Sequence, residues 1–77
     1  MFSLCKMDLK RVGTITKMEV NSNIKRRLFD IGIIPGAKIS RILEDYKNSI
    51  SAYAIMDCLI AIRNKDTEGI EVVYDEV

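Results

Sequence analysis

The segment Gly32-Ile33-Ile34-Pro35-Gly36 leaves the backbone few paths. Before it, Ile24, Leu28 and Ile31 recur at i, i+4 and i+7, which places them on one face of a helix. A glycine next in line suits the left-handed position that closes many helices, and Ile33 is spaced to touch Leu28 as in a Schellman cap. Ile34-Pro35-Gly36-Ala37 then reads as a type II turn, because proline presets φ at its second position and glycine accepts a positive φ at its third. A helix must therefore end and a strand begin within a few residues. The helix start is signalled at Asn21-Ser22-Asn23, any of which can cap.

The flanking segments read as strands. Val12 to Val20 is rich in β-branched residues, with Ile15, Lys17 and Glu19 on one parity and Thr14, Thr16, Met18 and Val20 on the other. After the turn, Lys38 to Glu44 and Ile50 to Met56 form two more strands, joined by the polar loop Asp45-Tyr46-Lys47-Asn48-Ser49. Leu59-Ile60-Ala61-Ile62-Arg63 has apolar residues on both parities, which predicts a central strand. Asn64 to Gly69 can hold one helical turn, and Ile70 to Tyr74 makes the last strand. Hairpin-length connections and one inserted helix favour a mostly β fold. The expected form is a small SH3-like, five-stranded antiparallel barrel filling residues 1–77 as a single domain.

Composition excludes several function classes. A net charge of +1 lacks the basic excess of a domain built to hold phosphate backbones. The chain has no histidine, so the commonest general base and transition-metal ligand is missing. No P-loop, no GxGxxG run and no nucleophile-base pair occurs, and neither enzymatic activity nor a cofactor is expected. Cys5 and Cys58 lie far apart without CxxC spacing and are expected to be reduced, ordinary thiols, while Asp45, Asp57, Asp66 and Glu68 form no calcium-loop pattern. No metal site is expected. Residues Met1 to Lys6 lack the apolar run of a signal peptide and no stretch can span a bilayer, which predicts a cytosolic protein without direct membrane insertion.

The run Lys25-Arg26-Arg27-Leu28-Phe29-Asp30-Ile31-Gly32-Ile33-Ile34-Pro35-Gly36-Ala37 resembles the signature of the ferrous iron transport protein A (FeoA) family. That pattern is a basic helix ending in Leu-hydrophobic-Asp-hydrophobic-Gly, then two residues and Pro-Gly. The resemblance continues through Gly13-Thr14-Ile15, the two strands between Ile39 and Met56, the Leu59 to Arg63 strand and Ile70-Glu71-Val72. Lys10-Arg11-Val12 departs from the family's usual Pro-Gly, Asp57 replaces its glycine before the fourth strand, and the tip from Asp45 to Ser49 is short. Aspartate tolerates the left-handed region, so the Asp57 exchange is sterically reasonable. The resemblance implies an SH3-like accessory protein that binds and regulates the membrane GTPase-permease of ferrous iron uptake, recruited by it to the inner face of the membrane. The same module resembles the C-terminal domain of iron-dependent repressors. With no DNA-binding helices ahead of it in this sequence, the stand-alone accessory is the expectation.

The expected partner surface is Lys25, Arg26, Arg27, Phe29 and Asp30, meeting the cytosolic GTPase domain of such a permease. The cations fall mostly opposite the Ile24/Leu28/Ile31 face, and Phe29 falls well away from it. The simpler alternatives are a solvated helix face with Asp30 as local counter-charge, and a Phe29 covered at the barrel edge by a long loop or a terminal residue such as Phe2. Gly32, Pro35 and Gly36 are fully explained as cap and turn. An edge strand also offers a route to a weak homo-oligomer. The rival from another class is a small nucleic-acid-binding barrel, for which Tyr46, Tyr53 and Tyr74 are too dispersed and the charge too balanced. A proline-peptide groove would need more aromatic residues than the five present.

Overall fold

The computed structural model describes residues 2–45 and 47–75. Tyr46, placed by the sequence in a loop, lies outside the described residues. Among the described residues six antiparallel strands run β1 (Phe2–Ser3), β2 (Val12–Met18), β3 (Lys38–Glu44), β4 (Ile50–Ile55), β5 (Cys58–Arg63) and β6 (Ile70–Tyr74). Helix α1 (Ser22–Asp30) lies between β2 and β3, and the single-turn α2 (Asn64–Thr67) precedes β6. They form one sheet in the order β1-β6-β2-β3-β4-β5.

The predicted count of five strands rises to six. The extra strand is only two residues long, too short for any periodicity, and it exists because Phe2 and Ser3 pair with Val72 and Glu71 of β6. A 3₁₀ turn, Leu4–Lys6, follows it and buries Leu4 and Cys5.

Local signals place α1 and its exits as the sequence requires. Of the three candidate caps Asn21 serves, its side-chain oxygen accepting from the Ile24 N–H at 2.9 Å. At the other end the Ile33 N–H donates to the Leu28 carbonyl at 2.9 Å and the Gly32 N–H to the Phe29 carbonyl at 3.1 Å, the paired bonds of a Schellman motif. Gly32 takes φ +95°. In the turn the Ala37 N–H donates to the Ile34 carbonyl at 3.0 Å, with Gly36 at φ +93°.

The β3–β4 connection is held by Asp45. Its carboxylate accepts from the Ser49 N–H at 2.8 Å and the Ser49 hydroxyl at 2.9 Å, and these bonds hold its pKa below the ordinary aspartate value. Between β4 and β5, Met56 and Asp57 make a two-residue turn with φ +49° and +67° after the last pair, Ile55 with Cys58. Positive φ at both central positions is the type I′ pattern that suits a hairpin's twist. Asp57 thus occupies the left-handed region, as expected where the family has glycine.

Ile15, Leu28, Ile33, Ile39, Tyr53 and Val72 are central to the core. Two expectations need correction there. Ile31 is 42% exposed and Ile24 only half-buried against the core, so Leu28 is the one fully buried anchor of α1. Burying one leucine contributes about 2 kcal/mol, and the helix therefore sits on the barrel by a narrow contact. The predicted central strand, β5, is instead the last strand of the sheet. Its two apolar parities differ in burial: Ile60 and Ile62 are half-buried against the core, whereas Leu59 and Ala61 are exposed, and residues 60–63 together line a groove under α1.

Candidate partner-binding surface

Helix α1 carries the expected contact residues, and all five are exposed: Lys25, Arg26, Arg27, Phe29 and Asp30. Phe29 is 43% exposed, and Phe2 does not cover it but packs on Tyr74 with ring centroids 4.6 Å apart. The Lys25 ammonium stands 5.9 Å from the Phe29 ring centre, within cation–π range.

Asp30 does not serve as the local counter-charge. Among the described residues no carboxylate forms an ion pair with Lys25, Arg26 or Arg27. The cluster is also divided. Lys25 stands beside Phe29, whereas Arg27 turns toward the apolar side and lines the groove with Ile24, Leu28 and Ile31. The helical angle explains this, since Arg27 falls only about 40° from Ile31 at 100° per residue.

That groove, about 380 Å³, is walled by α1 on one side and by Ile60, Ile62 and Arg63 of β5 on the other. Arg63 pairs across one helical turn with Asp66 at 3.1 Å. Two more apolar side chains of the β4–β5 hairpin are exposed, Met56 at 76% and Leu59 at 65%. Met56 reaches back over the helix end, where its sulfur would stand 2.8 Å from a Cβ built on Gly32. Sequence reasoning missed this groove because it placed β5 inside the sheet. The available signal was the run of five residues from Leu59 to Arg63, apolar on both parities yet next to a helix of few buried positions.

A second feature that sequence reasoning missed is Arg41, 6% exposed within β3. Its guanidinium donates to the Met7 carbonyl at 2.9 Å and the Ser51 hydroxyl at 3.1 Å, and pairs with Glu44. Ser51 donates in turn to the Asn64 side chain at 2.7 Å, and Asn64 donates to the Asn48 carbonyl at 2.8 Å. Period-2 alternation puts Arg41 on the face of buried Ile39, so the signal was present and only its charge argued against it. The network ties β3, β4 and the start of α2 together.

The remaining candidates separate. Tyr53 is buried, and its hydroxyl reaches hydrogen-bond geometry with neither Ser51 nor Thr67; burial pushes its pKa up. Tyr74 packs against the tilted ring of Phe2 and carries the Arg11 guanidinium 3.3 Å from its ring centre. Neither tyrosine offers a free face for a nucleic-acid base. Cys5 is buried and Cys58 exposed at the start of β5, and no three of the described Cys, Asp or Glu side chains come together as a metal-holding group. No described helix is long and apolar enough to cross a membrane.

The family model described as FeoA domain matches residues 2–74. No curated protein matches the sequence. Among solved structures, the FeoA protein of Chlorobium tepidum is 21% identical with a TM-score of 0.91, over 97% of this chain and 71% of that one. Iron(II) transport protein A of Clostridium thermocellum is 20% identical with a TM-score of 0.90, over 96% and 46%. The zinc complex of Stenotrophomonas maltophilia FeoA, described as a prokaryotic SH3 domain protein and offered as a ferrous iron transport activating factor, is 16% identical with a TM-score of 0.78, over 95% and 91%. Identities this low establish the SH3-like fold alone.

Proposed function

From the premise that this chain belongs to the FeoA domain family, we propose that it is a non-catalytic, cytosolic accessory of ferrous iron uptake, acting by binding the GTPase domain of the membrane permease. The observation that carries the reading is the surface of α1. Three cations without a carboxylate partner among the described residues stand on it with an exposed Phe29, and hydrogen bonds fix both ends of the helix. Exposed aromatics and arginines are the residue types that dominate binding energy at protein interfaces. Uncompensated cations add steering toward an acidic surface.

Capture of the permease GTPase domain by wild-type protein, compared with Phe29→Ala and Arg26→Glu, tests the reading. Each variant should weaken binding about tenfold or more, the usual effect of removing an interface anchor. Neither side chain is needed for the fold, since both are exposed. Equal capture by wild type and both variants would remove this face from the interface.

A further inference from the structure

We infer that the open edge of β5, with the groove beneath α1, is a docking site for an extended, acid-bearing segment of a partner protein, which would add to the sheet as a seventh strand. Strand β5 pairs with β4 alone, and its outer edge makes no backbone hydrogen bond among the described residues. Proteins usually blunt such an edge with a bulge, a proline or a central charge. Here the β4–β5 register runs unbroken from Cys58 to Arg63, and Leu59-Ile60-Ala61-Ile62 is apolar throughout. Six residues of free edge span about 20 Å, long enough for an added strand of ordinary length.

The groove beside the edge decides the occupant. An incoming strand would lay alternate side chains against Ile60, Ile62 and exposed Ile31, while its backbone completes the bonds that β5 leaves open. Among the described residues Arg27 stands on one wall without an ion pair, and Arg63 at the end of the edge pairs with Asp66. The groove therefore favours carboxylates. A second copy fits less well: antiparallel pairing of β5 with itself about Ala61 sets Leu59 opposite Arg63 and brings a second set of cations to the same groove. The site is separable from the exposed Lys25 and Phe29 face and does not depend on who the partner is.

The probe is a blocked octapeptide of alternating valine and threonine with glutamate at both ends, titrated into isotope-labelled protein. Amide shifts and slowed hydrogen exchange are expected along Cys58 to Arg63. Affinity should fall about tenfold when lysine replaces the peptide's glutamates, and likewise for the Arg27→Glu protein, as expected for about 1.4 kcal/mol of charge complementarity. A peptide N-methylated at alternate residues should not dock. The inference is overturned by absence of binding, by shifts confined to other strands, by equal affinity for the lysine peptide, or by β5 protection that rises with protein concentration alone. If the permease GTPase domain is captured while β5 amides stay unprotected, the docking mode fails and the proposed function stands. If the peptide docks and that domain is not captured, the docking mode stands and the proposed function fails.

Discussion

Replacing Gly32 by alanine should destabilise the protein by two separable mechanisms. Gly32 closes α1 at φ +95°, outside the region an L-residue adopts comfortably, and holding alanine in a left-handed conformation costs roughly 1–2 kcal/mol. The added Cβ would also stand 2.8 Å from the Met56 sulfur. Because the obstacle is the far end of a flexible side chain, displacement rather than backbone movement resolves it, at about 0.5–1 kcal/mol for an off-rotamer methionine. The sum is about 1.5–3 kcal/mol, and at 4–8 °C per kcal/mol for a domain of this size the melting temperature should fall by roughly 6–24 °C. Gly36→Ala is the matched control, since Gly36 shares the positive φ, at +93°, but a Cβ there meets nothing within 4 Å. Urea denaturation of Gly32→Ala, Gly36→Ala, Met56→Ala and the Gly32→Ala/Met56→Ala double variant closes a thermodynamic cycle. The double variant should bring the cost of Gly32→Ala down to that of Gly36→Ala. A Gly32→Ala protein as stable as wild type would refute the backbone argument, and a cost untouched by Met56→Ala would refute the steric one.

Other substitutions probe the interior and the sheet edge. Arg41→Met strands Glu44, Ser51 and the Met7 carbonyl and should cost about 2–3 kcal/mol in urea, less than a fully buried pair because Glu44 reaches solvent; adding Glu44→Gln should return part of the loss. Tyr53→Phe removes a buried hydroxyl that has no partner and should leave stability unchanged or raise it by up to about 1 kcal/mol; a loss larger than that would reveal a bond the geometry lacks. Asp75 is held below the ordinary aspartate value of 3.8 by the Lys38 ammonium at 2.8 Å, then by the Thr14 hydroxyl. A depressed carboxylate contributes its stability above the unfolded value and loses it as pH falls through the folded one, so wild type should exceed Asp75→Asn above about pH 4 and converge with it in stronger acid. Denaturation across that pH range checks it, and a gap independent of pH would exclude the ion pair as its source.

What could be read from the sequence was set by how local the physics is. The Schellman bonds and the Pro35-Gly36 turn depend on neighbours within six residues, so the helix exit from Leu28 to Ala37 was legible, and the cap to within the three residues Asn21 to Asn23. Position in the sheet depends on partners far along the chain. Hence β1 was invisible, since two residues have no pattern of their own, and β5 was misplaced because two apolar faces look alike whether a strand is central or sits beside a groove. On the candidate site, exposure of Lys25, Arg26, Phe29 and Asp30 followed from the helical wheel. The turning of Arg27 into the groove was also implicit in that wheel, but it mattered only once β5 stood opposite. Arg41 shows the limit of reading charge as exposure: its parity matched Ile39, and the carbonyl and carboxylate that make burial tolerable come from the 3₁₀ region and from the strand's own end.

Strand β6 lies between β1 and β2, so the last strand made joins the first to the rest of the sheet. The pairing of Phe2 with Val72 spans nearly the whole sequence, and loop-closure entropy must be met before it rewards the chain. During synthesis, Ile15 and its neighbours on β2 have no permanent partner on that side until Ile70 to Tyr74 have left the ribosome. The hairpins around β3, β4 and β5 can form earlier, each closing a short loop. A chain that lacked β6 would leave β1 without its pairing and β2 with an open edge, so the loss of one strand would release two.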